Sequence, residues 1–234
     1  MKIGIIGMGA IGGYIAAMLC RSKENVNVVA YGKTLNKIKT DGISLKSEIN
    51  GSFTVFPTLA TDDSDEIGVV DIIFVCVKGY SLKAAAKAIL PMVGDHTLII
   101  PIINGVDGGN KLYSYLRKGK VTDAIMSISS KIEGDGVIKH TSQNTRIFIS
   151  SNKKRPMYKR DLERIYNVLT KSNILCEVRR DAEIFAWNNY VFNCAFNVTD
   201  SYYDVKVKGI LEDKMKFETF CNVAKECEEV ARSK

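Results

Sequence analysis

The chain has 234 residues, of which 46% are hydrophobic and 25% charged, a composition typical of a soluble globular protein with one large domain or two small ones. No apolar run reaches the length of a membrane span, and the N-terminus leads straight into a strand pattern, so we expect no membrane anchor and no secretory signal. The lysines behind the net charge of +7 are spread without aromatic interleaving, which indicates a surface that attracts anionic small molecules and argues against nucleic acid.

A strand and a glycine-rich turn open the chain. The apolar, β-branched run over residues 2–7 predicts a strand, and residues 11–20 predict a helix. Between them, Gly7, Gly9 and Gly12 form G-x-G-x-x-G, in which the glycines permit the turn, the approach of a pyrophosphate and close helix–strand packing. Because a helix N-terminus also attracts anions, the stretch predicts a dinucleotide site. The alternative is a glycine-rich turn that binds nothing.

The second predicted strand, residues 25–31, ends where a dinucleotide fold contacts the adenosine ribose. An Asp or Glu at this point would favour NAD by accepting a hydrogen bond from the 2′-hydroxyl. The residues present are Tyr31, Gly32 and Lys33, so the segment offers no carboxylate and one lysine for a 2′-phosphate. The pattern favours NADP, and the alternative for Lys33 is an ordinary surface lysine at a helix start.

Continuous apolar runs over residues 69–77 and 97–103 predict two further central strands. Lys78 follows the first run and Asn104 the second, at the carboxyl ends where ligands bind in a doubly wound α/β sheet. The stretch 121–151 alternates weakly and predicts two or three strands that finish the sheet. The other predicted elements are helices over residues 33–40, 82–90, 110–117 and 161–171, a hairpin over 43–56 and a strand over 174–178.

The alternation of strands and helices stops near Arg179. We therefore expect a Rossmann-type dinucleotide-binding domain over residues 1–179 and a helical domain over residues 180–234. The helical part begins with a long run over residues 181–201, and a last amphipathic helix is predicted over 214–231. Apolar side chains recur at helix spacing in the long run, at Ile184, Trp187, Val191, Cys194 and Val198.

A stripe of three asparagines, Asn189, Asn193 and Asn197, follows the long helix at intervals of four residues. Side chains at i and i+4 stack on one face of a helix. An asparagine ladder is costly to bury without partners, so we expect this one to face a polar cleft. The alternative is a polar seam between two helices.

The six cysteines form no C-x-x-C motif, and none lies near a histidine at metal-ligand spacing. Most of them fall inside apolar patterns. This usage predicts buried thiols in a reducing compartment, and with it a cytoplasmic location and no metal site.

Several of these motifs, taken in order, resemble ketopantoate reductase (2-dehydropantoate 2-reductase) over essentially the whole chain. The resemblance implies a Rossmann domain followed by a helical domain, with the substrate in the cleft between them. It also implies NADPH-dependent reduction of the 2-keto acid 2-dehydropantoate to pantoate, on the route to pantothenate and coenzyme A. The motifs are the glycine turn 7–13, Val77-Lys78, Asn104-Gly105-Val106 and Trp187…Asn193…Asn197.

The resemblance also implies roles for individual residues. The cofactor-binding set is Gly7, Met8, Gly9, Ala10, Ile11, Gly12, Tyr31, Lys33, Lys78 and Asn104. The catalytic set is Lys78, Asn104 and Asn189, and the substrate-binding set is Asn193 and Asn197. His140 lies in a strand region where the family often has a histidine, and we expect it to be structural.

The sequence departs from the family pattern in three ways. Asn189 stands where the family has its catalytic lysine, and Tyr31 where it often has an arginine. The family's further helices, with a serine and a catalytic glutamate, would follow beyond Lys234, so the resemblance implies that residues 180–234 are a truncated part of the helical substrate domain. Ketone reduction needs a proton donor, which an asparagine amide is not, so Lys78 is the nearest substitute. The alternatives are a related keto- or hydroxy-acid reductase and a dinucleotide-binding protein with weak or no turnover; a homodimer is left open.

Overall fold

The structure, a computed structural model, describes residues 1–152 and 155–233. It divides into two compact units, Met1–Ala182 and Glu183–Lys234. The sequence predicted the change of architecture between residues 179 and 180, and the first unit ends at Ala182. Within the described residues, no helix combines the length and the apolarity needed to cross a membrane.

The described residues form thirteen strands and eight α-helices. In chain order the strands are Lys2–Ile6 (β1), Asn25–Val29 (β2), Ile43–Ser47 (β3), Gly51–Val55 (β4), Leu59–Thr61 (β5), Ile72–Val75 (β6), Leu98–Pro101 (β7), Lys120–Val121 (β8), Asp123–Ser127 (β9), Ser130–Gly134 (β10), Val137–His140 (β11), Arg146–Ser150 (β12) and Leu175–Val178 (β13). The helices are Ala10–Arg21 (α1), Gly32–Asp41 (α2), Leu82–Ile89 (α3), Gly108–Leu116 (α4), Lys159–Lys171 (α5), Ala182–Tyr203 (α6), Val207–Leu211 (α7) and Lys214–Arg232 (α8).

The central sheet of the first unit has six parallel strands in the order β5-β2-β1-β6-β7-β8. Both of its faces are covered, as expected for strands that are continuous apolar runs. Because successive side chains alternate, Ile5 and Phe74 are buried in one core with α1 and α2, whereas Ile6 and Val75 are buried in a second core with α3 and α4. This doubly wound arrangement confirms the predicted fold class.

Two smaller sheets accompany the central one, in the orders β10-β11-β3-β4 and β13-β12-β9. The prediction that residues 121–151 finish the main sheet was therefore wrong. Of that stretch only β8 joins the main sheet, whereas β10 and β11 extend the predicted hairpin β3–β4, and β9 pairs with β12. Alternation along a sequence indicates that a strand exists, but it carries no information about which strand it pairs with.

The second unit consists of helices from α6 to α8. The hydroxyls of Tyr203 on α6 and Thr219 on α8 hydrogen-bond at 3.0 Å. Among the described side chains of α6, the buried ones are Ala195 and Thr199. The predicted apolar stripe is not the buried face, since Ile184 and Val198 are 59% and 49% exposed. This helix carries apolar residues on more than one side, so its period alone does not decide which side packs.

Candidate dinucleotide-binding site

The glycine turn lies at the carboxyl end of β1, where the chain enters α1. Gly7 has a φ of 93°, a left-handed conformation that favours glycine. A Cβ at Gly7 would stand 2.6 Å from the carbonyl oxygen of Cys76, directly after β6. A Cβ at Gly12 would collide with the Gly7 carbonyl oxygen. These two glycines are therefore required by the close packing of β1, α1 and the end of β6.

Gly9 has a different environment. Its φ is −81°, which any residue adopts, and a Cβ there would meet no atom within 4 Å. Gly9 is the N-cap of α1, whose first turn has no acidic residue and includes the predicted cofactor residues Ala10 and Ile11. The first N–H groups of a helix have no partner within it. Open space in front of unpaired N–H groups fits a pyrophosphate.

A cavity of about 480 Å³ opens beside this turn, between the ends of β1 and β2 and the helix α3. Its wall is mostly apolar, with hydroxyl groups contributed by a tyrosine, a threonine and a serine. An apolar pocket of this kind fits a flat aromatic group such as adenine. The lining residues are Ile6, Gly7, Met8, Val29, Ala30, Tyr31, Thr34, Val77, Ser81, Ala84, Ala85 and Ala88.

The three predicted polar residues Lys33, Lys78 and Asn104 have exposed side chains, and they follow β2, β6 and β7 at the same edge of the sheet as the glycine turn. Lys33 lies in the first turn of α2. Lys78 precedes a single 3₁₀ turn, and its carbonyl oxygen accepts a hydrogen bond from the Ser81 N–H at 2.9 Å. The fold thus brings these residues to one edge, and their roles toward a ligand stay predictions.

The Cys76 thiol lies beneath the glycine turn. A Cβ at Gly12 would stand 3.1 Å from the Cys76 Cβ. Burial raises the pKa of the Cys76 thiol far above its ordinary value, because a thiolate would lose its hydration there. The thiol therefore stays protonated and adds no negative charge to the site where an anion would bind.

One carboxylate beside the cavity was missed by sequence reasoning. Asp135, in the turn between β10 and β11, accepts a hydrogen bond from the Thr34 hydroxyl at 2.9 Å. Thr34 lines the cavity and lies next to Lys33 in the chain. The two partners are 101 residues apart in sequence, so no local motif could have revealed the contact.

The asparagine stripe belongs to the second unit. Asn189 and Asn193 are half-buried and Asn197 is exposed. The Asn193 side-chain amide donates a hydrogen bond to the Asn189 carbonyl oxygen at 2.7 Å. One amide hydrogen of Asn193 is thus used within the helix, and its Oδ1 and second N–H remain for another partner. That the stripe faces a substrate cleft stays a prediction.

Residues 3–154 match the family model described as Ketopantoate reductase PanE/ApbA, which covers well over half of the chain. The chain belongs to the ketopantoate reductase family. This assignment agrees with the family predicted from the motifs, and the class is that of oxidoreductases. Among the described residues, no group of three or more His, Cys, Asp or Glu side chains is arranged to hold a metal ion.

Individual relatives agree with the family at modest identity. The chain is 28% identical to an uncharacterized oxidoreductase, YkpB, of Bacillus subtilis over 83% of its own length and 63% of that protein. It is 26% identical to a 2-dehydropantoate 2-reductase of Mesorhizobium japonicum over 92% of its own length and 71% of that protein. The chain therefore spans about two thirds of the length of these relatives.

Solved structures share the fold. A 2-dehydropantoate 2-reductase from Geobacter metallireducens superimposes with a TM-score of 0.89 at 24% identity, over 99% of this chain and 75% of that one. A ternary structure of D-mandelate dehydrogenase with NADH and anilino(oxo)acetate gives a TM-score of 0.85 at 16% identity, over 100% and 74% of the two chains. At these identities the likeness establishes the architecture alone.

Proposed function

We propose that this chain is an NADPH-dependent reductase of a 2-keto acid and that 2-dehydropantoate is its substrate. The observation that carries the proposal is the open approach to Gly9 at the N-terminus of α1, in a chain of the ketopantoate reductase family. Relatives named 2-dehydropantoate 2-reductase support the choice of substrate. The same proposal puts the chain in pantothenate biosynthesis in the cytoplasm, and it leaves the homodimer open.

The residues present fit a dinucleotide. The first N–H groups of α1 would bind the pyrophosphate, and the apolar cavity beside Tyr31 would hold the adenine. Lys33, exposed in the first turn of α2, supports NADPH because its ammonium group can pair with a 2′-phosphate. NADH is the alternative cofactor, since D-mandelate dehydrogenase has the same fold and its structure holds NADH.

Reduction of a keto acid also needs a group that gives a proton to the carbonyl oxygen. Bound NADPH supplies the hydride, and the protein supplies orientation and charge. Asn189 can donate a hydrogen bond to the oxygen but keeps its protons, whereas the Lys78 ammonium can release one. We assign carbonyl polarisation to Asn189, with Asn104, and proton donation to Lys78, while Asn193 and Asn197 would contact the polar groups of the substrate.

Two other functions stay open. The first is reduction of another keto or hydroxy acid, because a shared fold does not fix the substrate. The second is dinucleotide binding with weak or no turnover, which Asn189 favours because it stands where the resemblance expects a lysine.

The test is NADPH oxidation by the full chain, followed by absorbance, with 2-dehydropantoate and with a panel of smaller and larger 2-keto acids. Binding of NADPH and NADH is measured by calorimetry on the same preparation. Oxidation that depends on 2-dehydropantoate supports the proposal. Oxidation with other keto acids alone supports the related reductase, and binding without oxidation supports the binding protein. Failure to bind either dinucleotide contradicts all three.

A further inference from the structure

Asp135 places a negative charge beside the cavity of the candidate cofactor site. Its Oδ1 accepts the hydrogen bond from the Thr34 hydroxyl at 2.9 Å, and Thr34 forms part of the cavity wall together with Tyr31. In dinucleotide folds a carboxylate at this point usually comes from the end of the second strand. Here the segment after β2 has none, and the carboxylate comes from a hairpin more than 100 residues later.

The backbone fixes the position of this carboxylate. Asp135 and Gly136 form the two-residue turn between the paired residues Gly134 and Val137, and Gly136 has a φ of 73°. The Gly136 carbonyl oxygen accepts a hydrogen bond from the Ser44 N–H at 2.8 Å. Since β3 follows α2 directly and pairs in parallel with β11, the turn is held beside α2 by regular sheet hydrogen bonds.

Charges of both signs surround the turn. Lys37, one helical turn after Lys33, pairs with Asp41. Asp41, and less strongly Asp135, raise the pKa of Lys37. Among the ion pairs of the described residues Lys33 takes part in none, so its charge is available to a ligand. The first turn of α2 therefore carries the cation of Lys33, and the carboxylate of Asp135 lies beside this turn, where it accepts a hydrogen bond from Thr34.

We infer that Asp135 weakens the binding of NADPH relative to NADH, because its carboxylate repels the 2′-phosphate, whereas Lys33 strengthens the binding of NADPH by attracting that phosphate. The inference rests on the proposed dinucleotide site. A phosphate monoester carries close to two negative charges near pH 7, and it is repelled by a carboxylate beside it. The 2′-hydroxyl of NADH is a hydrogen-bond donor that a carboxylate or the Thr34 hydroxyl can accept. Asp135 therefore narrows the preference for NADPH that Lys33 creates.

The test compares the affinities of the full chain for NADPH and NADH in Asp135→Asn and Lys33→Ala. Asp135→Asn removes the charge, keeps almost the same side-chain shape and keeps an oxygen that can accept the hydrogen bond from the Thr34 hydroxyl. We expect it to tighten NADPH binding about two- to fivefold, the range of a solvent-screened charge pair, with no comparable change in NADH binding. Lys33→Ala is expected to weaken NADPH binding by a similar factor.

Glu133→Gln is the matched control, because Glu133 lies on the same hairpin and contacts Lys46 and Lys139 instead of α2. It removes the same charge and is expected to leave the ratio of affinities unchanged. An equal change for both cofactors in Asp135→Asn, weaker NADPH binding, or the same effect from Glu133→Gln would overturn the inference. If the unmodified chain binds neither dinucleotide, the proposed function fails instead.

Discussion

Gly9 is the residue at which a substitution should change ligand binding without changing the fold. Its backbone is extended and a Cβ would meet no atom within 4 Å, so a substitution there strains nothing in the protein. Gly7 and Gly12 differ, because a Cβ at either position would meet backbone atoms. Gly7 and Gly12 are therefore required for close backbone packing, whereas the space beside Gly9 is open to a ligand.

We predict that Gly9→Asp abolishes dinucleotide binding and leaves the fold intact or slightly more stable. Aspartate is a favoured N-cap, and it would satisfy the N–H groups of α1 that we propose for the pyrophosphate. Calorimetry with NADPH should show affinity lower by at least about 100-fold, since a charge-assisted contact worth about 3 kcal/mol gives way to repulsion. Gly9→Ala is the comparison variant, because it adds a side chain at this position without adding a charge. Unchanged NADPH affinity in Gly9→Asp would refute the assignment of the glycine turn.

At the scale of elements, β3 and β11 are joined at their ends by a buried histidine. His140 is 2% exposed; one ring nitrogen hydrogen-bonds with the Ser47 hydroxyl at 2.8 Å and the other with the Thr145 hydroxyl at 2.5 Å. The ring also contacts that of Tyr14 on α1, with centroids 4.7 Å apart. His140 therefore links the second sheet to α1, and this environment supports the structural role expected for it.

We predict that His140 makes the fold less stable on acidification. Burial lowers the pKa of His140, an effect that the negative charge of Glu48 partly opposes. Because the folded pKa lies below the unfolded one, the unfolded chain binds the proton more readily. The stabilisation is present above the unfolded pKa, near 6.5, and is lost as the pH falls toward the folded pKa.

Urea unfolding between pH 7.5 and pH 5 measures this dependence, to which one proton contributes a slope of at most about 1.4 kcal/mol per pH unit. His140→Gln should remove that part of the slope. His96→Gln is the control, because His96 is exposed and is the second of only two histidines in the chain. Equal slopes in the unmodified chain and in His140→Gln would contradict the prediction.

For the whole molecule, the sequence predicted the features that depend on neighbouring residues, and it did not predict the pairing of strands that are far apart in the chain. The central strands were predictable because buried parallel strands are continuous apolar runs, and the glycine turn because its spacing is fixed by close contacts. The pairing of β11 with β3 was not predictable, because the paired residues Ser47 and His140 lie 93 residues apart in the chain. The carboxylate of Asp135 was missed for the same reason, since sheet pairing alone carries it to α2.

At the scale of the whole molecule, Asn189 should affect the rate of substrate reduction. The resemblance expects an ammonium group at this position of α6, which would give a proton to the carbonyl oxygen and attract the substrate carboxylate. An asparagine supplies neither. We therefore expect the unmodified chain to reduce 2-dehydropantoate only slowly, with Lys78 as the first candidate for proton donation.

We predict that Asn189→Lys raises the rate of 2-dehydropantoate reduction by about 10- to 100-fold, the lower part of what general acid catalysis contributes. Steady-state kinetics with NADPH is the measurement. Asn188→Lys is the control, since Asn188 is exposed and lies about 100° around α6, so it adds the same charge on another face. No gain in Asn189→Lys, with cofactor bound and fold intact, would show that Asn189 does not limit the reaction. Fast turnover by the unmodified chain, lost in Lys78→Ala, would assign the proton to Lys78.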